Sequence, residues 1–114
     1  MINVLLFNKI KNFGSSGDSD NLITELPNSI SNLTNLSDLI FSNNKLTIIP
    51  DSVCHLTNLK YFDCSNNNLT KLPNSIGNLV NLRELHCNDN SLTTLPESII
   101  NLKYTNITKY NQRQ

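Results

Sequence analysis

The sequence predicts an α/β repeat solenoid: a right-handed superhelix with short parallel strands on its concave face and loops or 3₁₀ turns on its convex face. Three observations predict it. The four prolines, Pro27, Pro50, Pro73 and Pro96, are each 23 residues apart and each follows Leu or Ile. The same interval separates Asn21, Asn44, Asn67 and Asn90, then Ser29, Ser52, Ser75 and Ser98, then Leu33, Leu56, Leu79 and Leu102. Composition agrees, for 21 Asn and 18 Leu supply 39 of the 114 residues, a bias expected of repeated units.

Each unit begins with a strand. Counting from Leu36, Leu59 and Leu82, the fourth and sixth positions are apolar and their neighbours, Ile40 apart, polar or amphipathic. That alternation predicts Leu39/Phe41, Phe62/Cys64 and Leu85/Cys87 facing inward from short parallel strands. A turn follows. Its ninth-position asparagine, Asn21, Asn44, Asn67 or Asn90, can place an amide inside the bend and bond backbone groups of its own and the adjacent coil, a structural asparagine ladder. Leu46, Leu69 and Leu92 close the turn, and the prolines fix φ where the backbone joins no ladder. On the return path Val53/Leu56, Ile76/Leu79 and Ile99/Leu102 are three apart, the spacing of one helical or 3₁₀ turn. No coil buries its own leucines; stacking against neighbours does.

The unit reads L-x-x-L-x-L-x-x-N-x-L-T-x-L-P-x-S-I-x-x-L-x-x, with Phe41, Cys64 and Cys87 at the sixth position and Phe62 at the fourth. This resembles the leucine-rich repeat family over residues 21–104. The Leu-Pro-x-x-Ile-x-x-Leu half is similar to the intracellular repeats of Ras-pathway scaffolds, Scribble-type polarity proteins and plant Ras-group-related proteins. The resemblance implies a protein-interaction scaffold whose partners dock on the concave face.

One domain over 1–104 is expected, in units 2–35, 36–58, 59–81 and 82–104. In the first, Ile2, Leu5 and Phe7 fit the strand positions, and residues 8–20, with their Gly14–Asp20 core, read as an inserted loop. Residues 105–114 read as a tail in which Ile107 and Tyr110 begin a partial strand. Neither end carries a recognisable polar cap. Self-association through the ends, or a place within a longer array, is therefore an alternative to a free-standing module.

Charge selects no class of partner. Nine Lys and Arg balance nine Asp and Glu, so the basic excess that draws proteins to nucleic acid or anionic membranes is missing. No apolar run approaches the ~18 residues of a membrane span. Three cysteines without a cluster make no disulfide framework and favour a reducing cytoplasm, the cell's own or, for an effector, a host's. Cys54-His55 and His86-Cys87 suggest metal or nucleophile chemistry, but strand alternation puts Cys87 inward and His86 outward. Cys64 and Cys87 are expected as small buried thiols, and Cys54 and His55 as plain convex-surface residues. No metal or phosphate-binding motif appears, so neither a cofactor nor an enzymatic activity is expected.

What remains is a surface. The outward strand positions are Val4, Leu6 and Asn8, then Asp38, Ile40 and Ser42, then Lys60, Tyr61, Asp63 and Ser65, then Arg83, Glu84, His86 and Asn88. Tyr61 with Arg83 diagonal to it is the expected anchor, since those types carry interface energy. Ile40 and Leu6 add apolar contact. The expected partner is a protein.

Overall fold

A computed structural model describes residues 24–109. Asn21, the strand expected over Ile2–Phe7, the insertion at 8–20, and Tyr110 lie outside them. The described chain forms one sheet of four parallel strands in chain order: β1 (Asp38–Ile40), β2 (Tyr61–Asp63), β3 (Glu84–His86) and β4 (Asn106–Thr108). Leu39 pairs with Phe62 and Phe62 with Leu85, one 23-residue unit apart. In each of the first three strands the middle residue is buried and its two neighbours half-buried, the alternation the sequence predicts.

Each strand is three residues long because the chain bends out of it soon after. Asn43, Asn66 and Asp89, at the eighth position, have φ of 60°, 56° and 58°. That left-handed region is costly for most L residues, and Asn and Asp are among the few that enter it readily. The side chains of Asn43 and Asn66 also bond each other across the coils.

The return path is a run of three-residue closures. In the second coil Val53 N–H donates to Pro50 O, Leu56 N–H to Val53 O and Leu59 N–H to Leu56 O, at 2.9–3.1 Å. Proline starts the run with its carbonyl and, lacking an N–H, leaves no donor behind. Three residues per turn eclipse every third side chain, so Val53, Leu56 and Leu59 all face the core and all are buried. The resulting 3₁₀ segments are Asn28–Asn32, Asp51–His55, Ile76–Asn78 and Glu97–Asn101.

Two expectations need correction. Cys54 is buried, not a convex-surface residue. It stands one step round the 3₁₀ turn from Val53, on the side where coil meets coil. That side is tight: at the equivalent Gly77 an added Cβ would lie 2.1 Å from the Ser98 carbonyl oxygen. The Ser98 hydroxyl links the same coils, donating to Asn74 O at 2.7 Å and accepting from Gly77 N–H at 2.9 Å.

The last strand also departs from the period. Leu85 pairs with Ile107, 22 residues on rather than 23. In earlier coils two successive N–H groups converge on one carbonyl, Lys60 and Tyr61 on Ser37, Arg83 and Glu84 on Lys60. At β4 Asn106 alone donates to Arg83 O, so the crowded residue is the one missing. Ile107 packs, partly buried, against the core.

Candidate functional site: the concave strand face

Pairing register sorts the outward side chains into two rows across the sheet. Asp38, Tyr61, Glu84 and Asn106 form one; Ile40, Asp63, His86 and Thr108 form the other. The six on β1 to β3 are half-exposed. The Tyr61 ring lies against the imidazole of His86, centroids 5.2 Å apart and tilted by 36°. His86 in turn meets Glu84, Nε2 to Oε1 at 2.8 Å. Asp63 Oδ1 accepts from Ser65 N–H at 2.9 Å and Ser65 Oγ–H at 2.6 Å, and Asp38 Oδ1 accepts from Ser37 Oγ–H at 3.0 Å. Burial, then the charges of Asp63, Glu84 and Asp38 in that order, raises the Tyr61 phenol above its ordinary pKa.

The expected site residues divide accordingly. Asp38, Ile40, Tyr61, Asp63, Glu84 and His86 come together on the face, and Ser42 extends it half-exposed. Lys60 and Arg83 are exposed but sit one residue ahead of their strands, at the crowded position, so they edge the face. The ring against Tyr61 is therefore that of His86, the diagonal residue in parallel register. Asn88 is buried rather than displayed; its Nδ2 donates to Asp89 Oδ2 at 2.9 Å and its carbonyl accepts from Asn66 N–H.

Behind the face, the asparagine ladder holds the strands. Asn67 Nδ2 donates to Phe41 O, Cys64 O and Ser65 O at 3.0–3.1 Å, while its Oδ1 accepts from Leu46 N–H at 2.9 Å. Asn90 repeats this one coil on, to Cys64 O, Cys87 O and Asn88 O, and accepts from Asn67 N–H and Leu69 N–H. Asn44 Nδ2 reaches Phe41 O and Ser42 O. Asn67 and Asn90 each tie their own turn to the preceding coil. A second ladder, which sequence reasoning missed, runs down the convex side: Asn58 Nδ2 donates to Thr34 O and Asn81 Nδ2 to Thr57 O, both at 2.7 Å. Its signal was the 23-residue spacing of Asn35, Asn58 and Asn81.

Chemistry elsewhere is muted. Cys64 and Cys87 are buried at equivalent positions. Burial, then Asp51, pushes the Cys54 thiol up to about 12. Cys87 rises to about 11 through burial, partly offset by Lys109. Cys64 is raised well above the usual range by burial, then by Cys87 and Asp63. A thiol held protonated is a poor nucleophile and metal ligand. Among the described residues no group of three or more His, Cys, Asp or Glu could hold a metal ion, and no helix is long and apolar enough to cross a membrane. A cleft of about 170 Å³ between the segments around Ile49 and Leu72, lined by Ile48, Lys71 and Pro73, is smaller than the ~300–1,000 Å³ of small-molecule sites.

Comparison with known proteins matches this geometry. Residues 35–56 fit the Leucine Rich Repeat model, and residues 57–101 fit that of Leucine Rich repeats in two copies. These matches do not single out a Scribble-type or Ras-group-related branch. No curated protein matches significantly. Among solved structures the chain is similar to a leucine-rich repeat protein of Leptospira interrogans, with TM-score 0.74 and 40% identity over 79% of this chain. It spans 24% of that protein's length. Periodicity, parallel register, asparagine ladder and these matches agree: the chain belongs to the leucine-rich repeat family, whose domains are generally protein-interaction modules.

Proposed function

We propose that the chain is a non-catalytic protein-binding module whose partner docks on the concave strands. The observation that carries this is the pairing of half-exposed side chains with immobilised backbone. Tyr61, Asp63, Glu84 and His86 stand on strands whose ends are tied by Asn67 and Asn90, so they lose little freedom on binding. The raised thiols support the absence of catalysis, and three unpaired cysteines support a reducing, cytoplasmic setting. Four three-residue strands at ~4.8 Å spacing and ~3.3 Å per residue offer on the order of 200 Å², against ~800 Å² per partner in a standard interface. Contacts beyond the strands, at Lys60, Arg83 and the Ser42/Ser65 turns, must contribute to any firm complex.

The test is capture from native cells with the wild-type chain and the Tyr61→Ala/Arg83→Ala variant. A protein held by the first and lost by the second supports the concave site. Equal retention moves the interface to another surface.

A further inference from the structure

The docked residue can be specified by charge. The displayed positions of β1 to β3, Asp38, Ile40, Tyr61, Asp63, Glu84 and His86, hold three carboxylates and no Lys or Arg. Counted along the sequence the face looks mixed; the structure separates its charges, moving Lys60 and Arg83 to one edge. Register sets Asp38 and Glu84 on the strands either side of Tyr61, ~4.8 Å away in backbone spacing, with Asp63 two residues along. None of the three is ion-paired to a Lys or Arg among the described residues; Asp38 and Asp63 are satisfied by serines and Glu84 by His86. Burial raises the Tyr61 phenol first, and the charges of Asp63, Glu84 and Asp38 raise it further.

We propose, building on the concave-face reading, that this surface takes an Arg or Lys side chain of a protein partner, laid over the Tyr61 ring and flanked by Asp38, Asp63 and Glu84. A cation within ~6 Å of an aromatic face is attracted by the ring, more so where water is excluded. Carboxylates on both sides accept charge-assisted hydrogen bonds, which the Arg guanidinium can donate in parallel pairs. Ile40, beside Asp63 in the second row, supplies apolar surface for the aliphatic stem of such a side chain. The free protein displays these three carboxylates together, and a basic guest would neutralise their charge.

The probe is a phage-displayed library of random dodecapeptides selected on the wild-type chain, each recovered peptide then measured against Ile40→Ala and Tyr61→Ala. Peptides that depend on Tyr61 are expected to carry Arg or Lys, to bind at least tenfold more weakly to Asp38→Asn/Glu84→Gln, and to weaken as salt rises. Selection on Glu84→Lys is expected to lose that basic preference. Tyr61-dependent peptides without basic residues, or indifferent to the carboxylates, overturn the basic-guest proposal while leaving the concave site standing. If no recovered peptide depends on Tyr61 or Ile40, the concave site itself falls. Circular dichroism and thermal melts of each variant separate lost binding from lost fold.

Discussion

In the coil spanning 59–81, Leu69, Leu72 and Ile76 are sealed on both sides; the same positions one coil later, Leu92, Leu95 and Ile99, are only partly buried. Ile100 is 76% exposed, whereas its equivalents Cys54 and Gly77 are buried. Leu69 and Leu92, Leu72 and Leu95, and Ile76 and Ile99 are pairs of identical residues. What differs is the number of neighbours, so burial in this fold is conferred by the next coil and not by the side chain's own hydrophobicity.

The sharpest break in that comparison is Leu69→Ala against Leu92→Ala. The first is expected to cost about 2–5 kcal/mol, because an enclosed site collapses poorly. The second removes surface already partly wet and is expected to cost about 1 kcal/mol. Urea unfolding midpoints of the two proteins decide it, and equal losses would refute the nearest-neighbour account. Gly77→Ala comes next: its methyl group meets the Ser98 carbonyl, backbone that cannot swing aside, for an expected loss of about 1–3 kcal/mol. Ser31→Ala, at the equivalent place in the first described coil, is expected to change little, which the same denaturation series would reveal.

Asn67→Ala is expected to lose about 1–3 kcal/mol for each buried backbone group left unpaired. The adjacent and exposed Asn68→Ala is expected to be near neutral. If the neighbours behaved alike, the ladder would not be what holds the strands.

Alkaline pH probes the same burial more gently. Thiols in an unfolded chain ionise near ~8.5, whereas folded Cys87 and Cys54 keep their protons to about 11 and about 12. Between those limits the unfolded state binds fewer protons, so stability falls as pH rises; below about 8 the thiols contribute no pH dependence. Midpoints measured from pH 7 to 10.5 are expected to fall less steeply in Cys54→Ala than in the wild type. The smallest effect is expected at the concave face: Glu84→Gln changes stability by no more than about 0.5 kcal/mol, since half-exposed charges in water interact weakly.

The fold was legible because every rung recurs. Phe62 and Cys64 could be assigned inward from alternation alone, and Val53/Leu56 to one helical or 3₁₀ turn from spacing, which the structure resolves as 3₁₀. Legibility failed where a position's environment depends on the coil beside it. Cys54 read as surface because nothing in its own segment reports the close approach of the next coil, though the small Gly77 at the same place was a hint. Asn88 read as displayed because strand alternation was carried past the strand's end, into a turn where the asparagine bends inward. Tyr61 was paired with Arg83 on chain position, but parallel register brings His86 to the ring. The residues that share the concave face were thus largely nameable from sequence, while their charge segregation needed the sheet.

The shortened spacing before β4 has a practical corollary for anyone grafting extra units onto this scaffold. A consensus segment spliced after Thr108 would inherit a seam lacking the doubled donation onto one carbonyl that marks the earlier junctions. Inserting a single residue between Thr105 and Asn106 restores the pitch, and with it a splice site for lengthening the molecule at will.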